Sequence, residues 1–95
     1  MTGTRRSLTL HRWVVYIIAC ADESLYTGIT TDMSRRMEEH AAGTGAKYTK
    51  RRGPFALRYT EQHATRSAAL KREAAIKAMD RSAKLALIAA VSRGS

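Results

Sequence analysis

The run Trp13–Cys20 is the feature that most restricts how this chain can fold. Its residues are Trp, Val, Val, Tyr, Ile, Ile, Ala and Cys, and they are apolar at both the odd and the even positions. β-Branched and aromatic residues favour strands, and a strand that is apolar on both alternating faces must be covered on both sides. The run therefore predicts a strand that is covered on both faces, in a modest single core that suits a chain of 95 residues.

Capping residues divide the rest of the chain into short strands and helices. Ser, Thr and Asp side chains cap helix N-termini, and Gly ends helices because it tolerates a left-handed backbone. A polar turn at 22–24 predicts a hairpin with a second strand. The predicted order is ββα–β–αα: a strand to Cys20, a strand at Leu25–Thr30, a helix from Thr31 or Asp32 to about Ala42, a strand at Phe55–Thr60, a helix from Thr65 or Ser67 to about Met79, and a helix from Asp80 or Ser82 to about Val91.

The charge of the chain points to a polyanionic partner. Seventeen basic and eight acidic residues give a formal net charge of +9, and 12 of the basic residues are Arg, which binds phosphate in bidentate fashion. Nucleic acid fits this charge best. A membrane surface fits less well, because the sequence lacks a strongly amphipathic basic helix with aromatic anchors and has no segment of transmembrane length.

The sequence predicts one domain in a reducing compartment. Residues 13–92 form the predicted domain, and residues 1–12 form a predicted flexible basic leader. The single cysteine, Cys20, lies in the first apolar run and can form neither an internal disulfide nor a zinc site. We therefore expect a cytoplasmic location, with Cys20 packed in the core.

Two polar side chains lie beside the apolar face of the first predicted helix. Met33 and Met37 belong to that face. At about 100° per residue, Arg36 and His40 lie next to it, one turn apart, while Arg35 points away. Arg36 either belongs to a site or covers apolar surface with its stem, and His40 is a candidate site residue in its company.

Glu73 is the corresponding exception on the second predicted helix. It lies between Leu70 and Ile76 on a helix that is apolar nearly all round, a pattern that predicts a helix buried nearly all round. A carboxylate that is desolvated there without a partner costs several kcal/mol. Two partners are equally open: Lys77, in an i,i+4 ion pair, or a hard metal ion that is also bound by water and phosphate.

A basic loop follows the first predicted helix. From Lys47 to Arg58 the chain has no acidic residue, and an aromatic ring lies among its cations. This pattern favours phosphate contacts and base stacking, although a solvated loop has the same composition. The predicted nucleic-acid-binding residues are Lys47, Tyr48, Lys50, Arg51 and Arg52, together with Lys77.

Taken in order, these residues resemble the GIY-YIG nuclease superfamily. Val15-Tyr16-Ile17 precedes Tyr26-Thr27-Gly28 by ten residues, and Arg36, His40 and Glu73 then match the family's arginine, histidine and metal-binding glutamate. The segments Gly-Thr-Gly-Ala-Lys-Tyr-Thr and Leu-Lys-Arg-Glu-Ala-Ala-Ile-Lys look closest to the small stand-alone proteins of the superfamily. The resemblance extends over nearly the whole chain.

The resemblance implies an α+β fold, with a three-stranded antiparallel sheet flanked by helices, and a metal-dependent endonuclease that hydrolyses DNA phosphodiester bonds. It implies a structure-selective role in DNA repair or processing, on branched or flapped DNA, with RNA left open. The alternative is a non-catalytic nucleic-acid-binding module with the same fold.

The resemblance also implies a role for each matched residue. Glu73 would hold one Mg²⁺ or Mn²⁺, and Arg36 would stabilise the transition state. Tyr16 would act as general base or orient water, with its pKa depressed by Arg36 and the metal. Tyr26 would position the phosphate, and His40 would relay a proton or orient Tyr16.

This site requires Tyr16 and Tyr26 to share one face of the hairpin. A three-residue loop that pairs Ala21 with Leu25 satisfies the requirement, whereas a two-residue turn puts the tyrosines on opposite faces. In the first register Gly28 lies on the same face, and we expect it to leave room for a phosphate.

Overall fold

The sheet has three antiparallel strands, and the first strand lies at its centre. The computed structural model describes residues 12–94, so residues 1–11 of the predicted leader lie outside the described part. β1 pairs with both other strands, and its residues 15–18 are buried. The predicted α+β class is confirmed, and β1 is covered on both faces as predicted. The strands are β1 (Trp13–Ala19), β2 (Leu25–Thr30) and β3 (Ala56–His63), in the spatial order β2-β1-β3.

Three helices begin at predicted caps. Asp32 and Thr65 each accept a hydrogen bond from the backbone N–H three residues later, at 3.0 and 3.1 Å, and Asp80 does the same at 2.8 Å. Gly43 ends the first helix with a left-handed φ of 82°. Within residues 12–94, no helix is long and apolar enough to cross a membrane. The helices are α1 (Met33–Ala42), α2 (Arg66–Lys77) and α3 (Arg81–Gly94).

Two elements differ from the prediction. β3 ends at His63 rather than Thr60. The prediction that α2 is apolar and buried nearly all round is wrong, because only Ala69 and Ile76 are buried and its alanines at 74 and 75 are exposed. Alanine is the strongest helix former, so an alanine-rich face reports helix propensity rather than burial.

The hairpin register puts Tyr16 and Tyr26 on the same face. Leu25 pairs with Ala19, so the expected pairing with Ala21 is wrong by two residues. A shift of two residues preserves the alternation of side chains, whereas a shift of one would reverse it. The condition that the two tyrosines share a face is therefore met.

The hairpin loop lies one residue earlier than expected. The Cys20 N–H donates to the Ser24 carbonyl at 2.9 Å and closes a loop of residues 21–23, in which Glu23 takes a left-handed φ of 69°. Arg81 Nη1 donates to the Glu23 carbonyl at 2.9 Å. The start of α3 is therefore held against the tip of the hairpin.

Alternate residues of β1 serve two different sides of the sheet. On the odd-numbered face, Val15 and Ile17 join Ile76 of α2 and Ile88 of α3 in the hydrophobic core. On the even-numbered face, Tyr16 meets α1. The sheet therefore has its main apolar core on one face and a buried polar cluster on the other.

Candidate active site

The Tyr16 ring is fully buried and lies against the backbone of Gly28. The two residues are directly opposite each other on β1 and β2. A Cβ atom at position 28 would lie 2.5 Å from Tyr16 Oη and 2.7 Å from Cζ, so the close approach requires glycine. The expectation that Gly28 leaves room for a phosphate is wrong, because the Tyr16 ring fills that space.

A chain of four hydrogen bonds runs through the Tyr16 hydroxyl. Arg36 Nε donates to Tyr16 Oη at 3.3 Å, and Tyr16 Oη lies 2.8 Å from His40 Nε2. On the other side of the imidazole, His40 Nδ1 lies 2.8 Å from Thr49 Oγ1. The Thr49 hydroxyl donates to the Ala46 carbonyl at 3.0 Å. The chain thus connects α1, β1 and the basic loop.

For a neutral His40, one assignment of hydrogens satisfies all four bonds. Thr49 uses its hydrogen on the Ala46 carbonyl, so its oxygen accepts from His40 Nδ1–H. His40 Nε2 then carries the lone pair and accepts from the Tyr16 O–H. Tyr16 therefore accepts from Arg36 and donates to His40, and every donor in the chain points in the same direction.

Sequence reasoning missed Thr49 and Gly45, which complete this arrangement. Thr49 is fully buried, and a Cβ atom at Gly45 would lie 2.6 Å from His40 Nδ1. Both residues belong to the segment Gly-Thr-Gly-Ala-Lys-Tyr-Thr. The resemblance of that segment to the small stand-alone proteins of the superfamily was the signal that could have identified them. Neither residue type by itself indicates contact with a histidine.

Burial raises the pKa of Tyr16 above its ordinary value of 10.0, although the hydrogen bond from Arg36 and the charge of Arg36 lower it. Arg36 therefore acts in the expected direction, but burial outweighs it in the free protein. Burial also lowers the pKa of His40 below 6.5, and Arg36 adds to that effect. Ordinary pKa values alone make proton transfer from Tyr16 to His40 cost about 5 kcal/mol, so both groups rest in the neutral form.

Arg36 is the cation at the surface end of the hydrogen-bond chain. Its side chain is 25% exposed, whereas that of Arg35 is 60% exposed, which agrees with the helical spacing. Arg36 Nη1 binds Glu39 at 2.9 Å, and the hydrogen bond to Tyr16 raises the pKa of Arg36. Among the described residues Arg36 Nη2 has no hydrogen-bond partner, so it is available to an anion.

Tyr26 lies between the buried cluster and the surface. Its ring meets the edge of the His40 ring, at 5.5 Å between centroids, and stacks on Tyr48 at 5.8 Å with an interplanar angle of 18°. Arg52 Cζ lies 4.3 Å from the centre of the Tyr48 ring, and Arg52 Nη1 binds Asp22 at 2.6 Å. Tyr48 is therefore already stacked within the protein, and base stacking on it remains a prediction.

The other cations of the basic loop are free of such contacts. Lys47, Lys50 and Arg51 are exposed, and none of them forms an ion pair within residues 12–94. Unpaired cations cost little to bring to a phosphate, because no existing ion pair is lost. These three residues therefore suit the predicted contact with nucleic acid better than Arg52 does.

Glu73 forms the ion pair that was one of its two expected partnerships. Glu73 Oε2 lies 3.2 Å from Lys77 Nζ, and the Glu73 side chain is 17% exposed. Its charge contributes to raising the pKa of Tyr16, so Glu73 lies within electrostatic range of the hydroxyl. No group of three or more His, Cys, Asp or Glu residues in the described part could hold a metal ion.

A metal ion at Glu73 would depend on ligands from outside the protein. A single carboxylate with hard oxygen donors fits Mg²⁺ or Mn²⁺, which keep several waters and bind phosphate oxygens at the same time. The residues present fit that kind of site and do not fit a protein cage. Lys77 would have to release Glu73 when such an ion binds.

A second polar cluster, on the odd-numbered face, was missed in the sequence. Both oxygens of Glu61 lie 3.0 Å from Arg72 Nε, and the same carboxylate binds the Tyr59 hydroxyl at 2.5 Å and His63 Nε2 at 2.6 Å. Tyr59, Glu61 and His63 alternate along β3, and Arg72 precedes Glu73 on α2. The cluster therefore fixes the helix that carries Glu73 to the edge of the sheet.

Comparison with known proteins agrees with this geometry. Residues 12–86 match the family model described as the GIY-YIG catalytic domain. A UPF0213 protein of Natronomonas pharaonis is 52% identical over 75 residues, which cover 79% of this chain and 88% of that protein. A UPF0213 protein of Staphylococcus aureus is 54% identical over 74 residues, which cover 78% and 90%.

Two solution NMR structures share the fold. One is a protein of E. faecalis, with a TM-score of 0.59 and 44% identity, covering 86% of this chain and 85% of that one. The other is a UPF0213 protein of Bacillus halodurans, with a TM-score of 0.54 and 44% identity, covering 81% and 82%. The GIY-YIG domain indicates nuclease activity and DNA binding in general terms. Tyr16, Tyr26, Arg36 and His40 meet on one face of a three-stranded sheet, and the chain belongs to the GIY-YIG superfamily, among the small UPF0213 proteins.

Proposed function

We propose that this protein is a metal-dependent endonuclease that hydrolyses DNA phosphodiester bonds, with structure-selective action in DNA repair or processing. The observation that supports this most directly is the hydrogen-bond chain from Arg36 through Tyr16 and His40 to Thr49. A neutral phenol, a neutral imidazole and a cation in direct contact form the set that a proton relay beside a phosphate needs.

Arg36 would bind the scissile phosphate. Its Nη2 is available, and the negative charge of a pentacovalent transition state exceeds that of the starting diester, so the cation stabilises the transition state more than the substrate. The resting hydrogen bond from Arg36 Nε to Tyr16 Oη also places this phosphate beside the hydroxyl. Tyr26, half-buried between His40 and Tyr48, would position the phosphate from β2.

Tyr16 and His40 would take the proton of the attacking water together. The water oxygen forms its bond to phosphorus and passes a proton to Tyr16 Oη, Tyr16 passes its own proton to His40 Nε2, and the phosphorus–oxygen bond to the leaving strand breaks. A concerted transfer avoids a free phenolate, which the raised pKa of Tyr16 makes costly. Because the Tyr16 hydroxyl is buried, the phosphate must draw the Arg36 side chain outward to admit the water.

Glu73 would hold the divalent ion, Mg²⁺ or Mn²⁺. When bound, the ion supplies neutralisation of phosphate charge and stabilisation of the leaving oxygen. Glu73 contributes a single charged oxygen donor on a helix that the contact between Glu61 and Arg72 fixes to the sheet. A cytoplasmic location is part of the proposal, and the buried free thiol of Cys20 supports it.

The test compares cleavage by the protein and by two matched variants. Linear, flapped and branched DNA, and an RNA of the same sequence, are incubated with Mg²⁺, Mn²⁺ or chelator. Glu73→Gln removes the proposed ligand at nearly constant volume. Glu38→Gln removes one exposed carboxylate from α1 and serves as the control.

We expect metal-dependent cutting that Glu73→Gln abolishes and Glu38→Gln preserves. Salt-sensitive binding without cutting of any substrate would instead support the non-catalytic module, for which the net charge of +9 already suffices. Metal-dependent cutting that Glu73→Gln leaves unchanged would contradict the role of Glu73 as metal ligand and leave it only its ion pair with Lys77.

A further inference from the structure

A cavity of about 340 Å³ lies beside His40, at the end of α1. It is lined by His40, the last turn of α1, Lys50, Arg51, Gly53 and Phe55, and Tyr16 does not line it. Its size falls at the lower end of the range for small-ligand sites. The His40 ring therefore separates this cavity from the Tyr16 hydroxyl.

The charged side chains that line the cavity are both cations of the basic loop, Lys50 and Arg51. No carboxylate lines it, and within residues 12–94 neither cation has an ion-pair partner. The adjacent Arg52 differs, because it binds Asp22 and stacks on Tyr48. Two cations without ion-pair partners that line one concave surface attract an anion.

The backbone at Arg51 supports this assignment. Arg51 has a left-handed φ of 66°, which costs a residue with a Cβ atom about 1–2 kcal/mol. Glu23 has a similar φ, but there the hairpin loop accounts for it. Strain of this kind in a non-glycine residue often occurs where a side chain is held for binding.

The end of α1 opposes an anion only weakly. A helix C-terminus carries about half a negative charge on its free carbonyls. The Gly43 N–H bonds to the carbonyls of Glu39 and His40, which partly satisfies that end. Two full cations outweigh the remaining charge.

We propose that this cavity is a phosphate-binding subsite in which Lys50 and Arg51 bind a phosphate anion against the His40 ring. The ligand is either a backbone phosphate of the bound strand or free phosphate. Its assignment to a strand rests on the proposed function, because a strand held by Arg36 places further phosphates nearby. The subsite would then stabilise the protonated His40 that the relay produces.

Other charges around His40 are already fixed by the protein. Tyr16 and Tyr26 contact its ring from the sheet, and on α1 Arg36 and Glu39 act on it with opposite signs. Lys50 and Arg51 line the same cavity as His40. An anion bound in that cavity would place a negative charge beside the imidazole and therefore raise the pKa of His40.

The test follows the pKa of His40 by NMR while inorganic phosphate is added to the metal-free protein, against sodium chloride at matched ionic strength. We expect a phosphate Kd of about 1–10 mM and a rise in the His40 pKa of about 0.5 or more. The double variant Lys50→Gln/Arg51→Asn removes both charges, and Asn tolerates the left-handed backbone. It should weaken phosphate binding at least about tenfold.

Lys47→Gln is the control, because Lys47 lies in the same loop but does not line the cavity. No effect of phosphate on His40 up to about 50 mM, or an equal loss of binding in Lys47→Gln, would overturn the proposal. Displacement of phosphate by a short DNA strand would identify a backbone phosphate as the ligand, and its persistence would identify free phosphate. Neither the pKa of His40 nor the binding of phosphate requires cleavage. A failure of the proposed subsite can therefore be distinguished from a failure of the proposed nuclease activity.

Discussion

The contact between Gly28 and Tyr16 gives the sharpest test of how this site is built. In Gly28→Ala the new methyl group would lie 2.5 Å from Tyr16 Oη and 2.7 Å from Cζ. Both distances are far below van der Waals contact, so the ring must move. The ring is fully buried between β2 and α1, and any movement strains its hydrogen bonds to Arg36 and His40.

The expected cost combines three terms. Overpacking of a buried site costs about 1–3 kcal/mol. Loss of the Tyr16–His40 hydrogen bond adds about 1 kcal/mol. Replacing a glycine lowers the entropy of the unfolded chain and returns about 0.4–1 kcal/mol. Gly28→Ala should therefore lower the free energy of unfolding by about 1–3.6 kcal/mol.

Urea unfolding gives the free energy, and NMR of the His40 ring reports the hydrogen bond. Gly53→Ala is the control, since its new Cβ would lie 3.2 Å from the end of the Phe55 ring, which can adjust. We expect little change in stability for the control, and in Gly28→Ala a loss of stability together with a changed His40 environment. Unchanged stability and an unchanged His40 signal in Gly28→Ala would refute the reasoning.

Three further predictions concern the buried polar groups. Thr49→Val leaves His40 Nδ1–H without an acceptor and should cost about 1–3 kcal/mol in urea unfolding, whereas Thr31→Val at the surface should cost little. Because burial lowers the pKa of His40, the unfolded chain binds more protons below pH 6.5. The contribution of His40 to the free energy of unfolding is therefore complete above pH 6.5 and is lost as the pH falls below 6.5. Urea unfolding at pH 7.5 and at about 5.5 should show a larger loss of stability in the wild type than in His40→Gln. Glu61→Gln weakens the link to Arg72 and should cost about 1–3 kcal/mol by the same measurement, with the loss suppressed at high salt if the charge is what matters.

Much of the fold was predictable because the sequence carries local signals for it. The apolar run of β1 indicated a doubly covered strand, and Asp32, Thr65 and Asp80 marked helix starts through one local hydrogen bond each. Helical spacing also distinguished Arg36 from Arg35. These signals depend on neighbours along the chain, which the sequence displays directly.

The parts that failed depend on neighbours in space. The space above Gly28 belongs to Tyr16, which lies on another strand, and the acceptor for His40 is Thr49, which lies in a loop. The pKa of Tyr16 depends on how completely α1 covers it, and a list of nearby cations does not contain that information. The predicted register of the hairpin was wrong by two residues, but the side chains still lie on the predicted faces, because side chains alternate along a strand with a period of two residues.

β1 places the apolar core and the polar cluster on consecutive residues of one strand. Slippage of this strand by one position would send Ile17 toward α1 and Tyr16 toward α2, so a state misregistered by one residue keeps neither the core nor the site. Partial unfolding that spares β1 likewise leaves the hydrogen-bond chain anchored. We therefore expect the amide hydrogens of Tyr16 and Ile17 to exchange with solvent only through global unfolding, at equal rates, although one serves chemistry and the other packing.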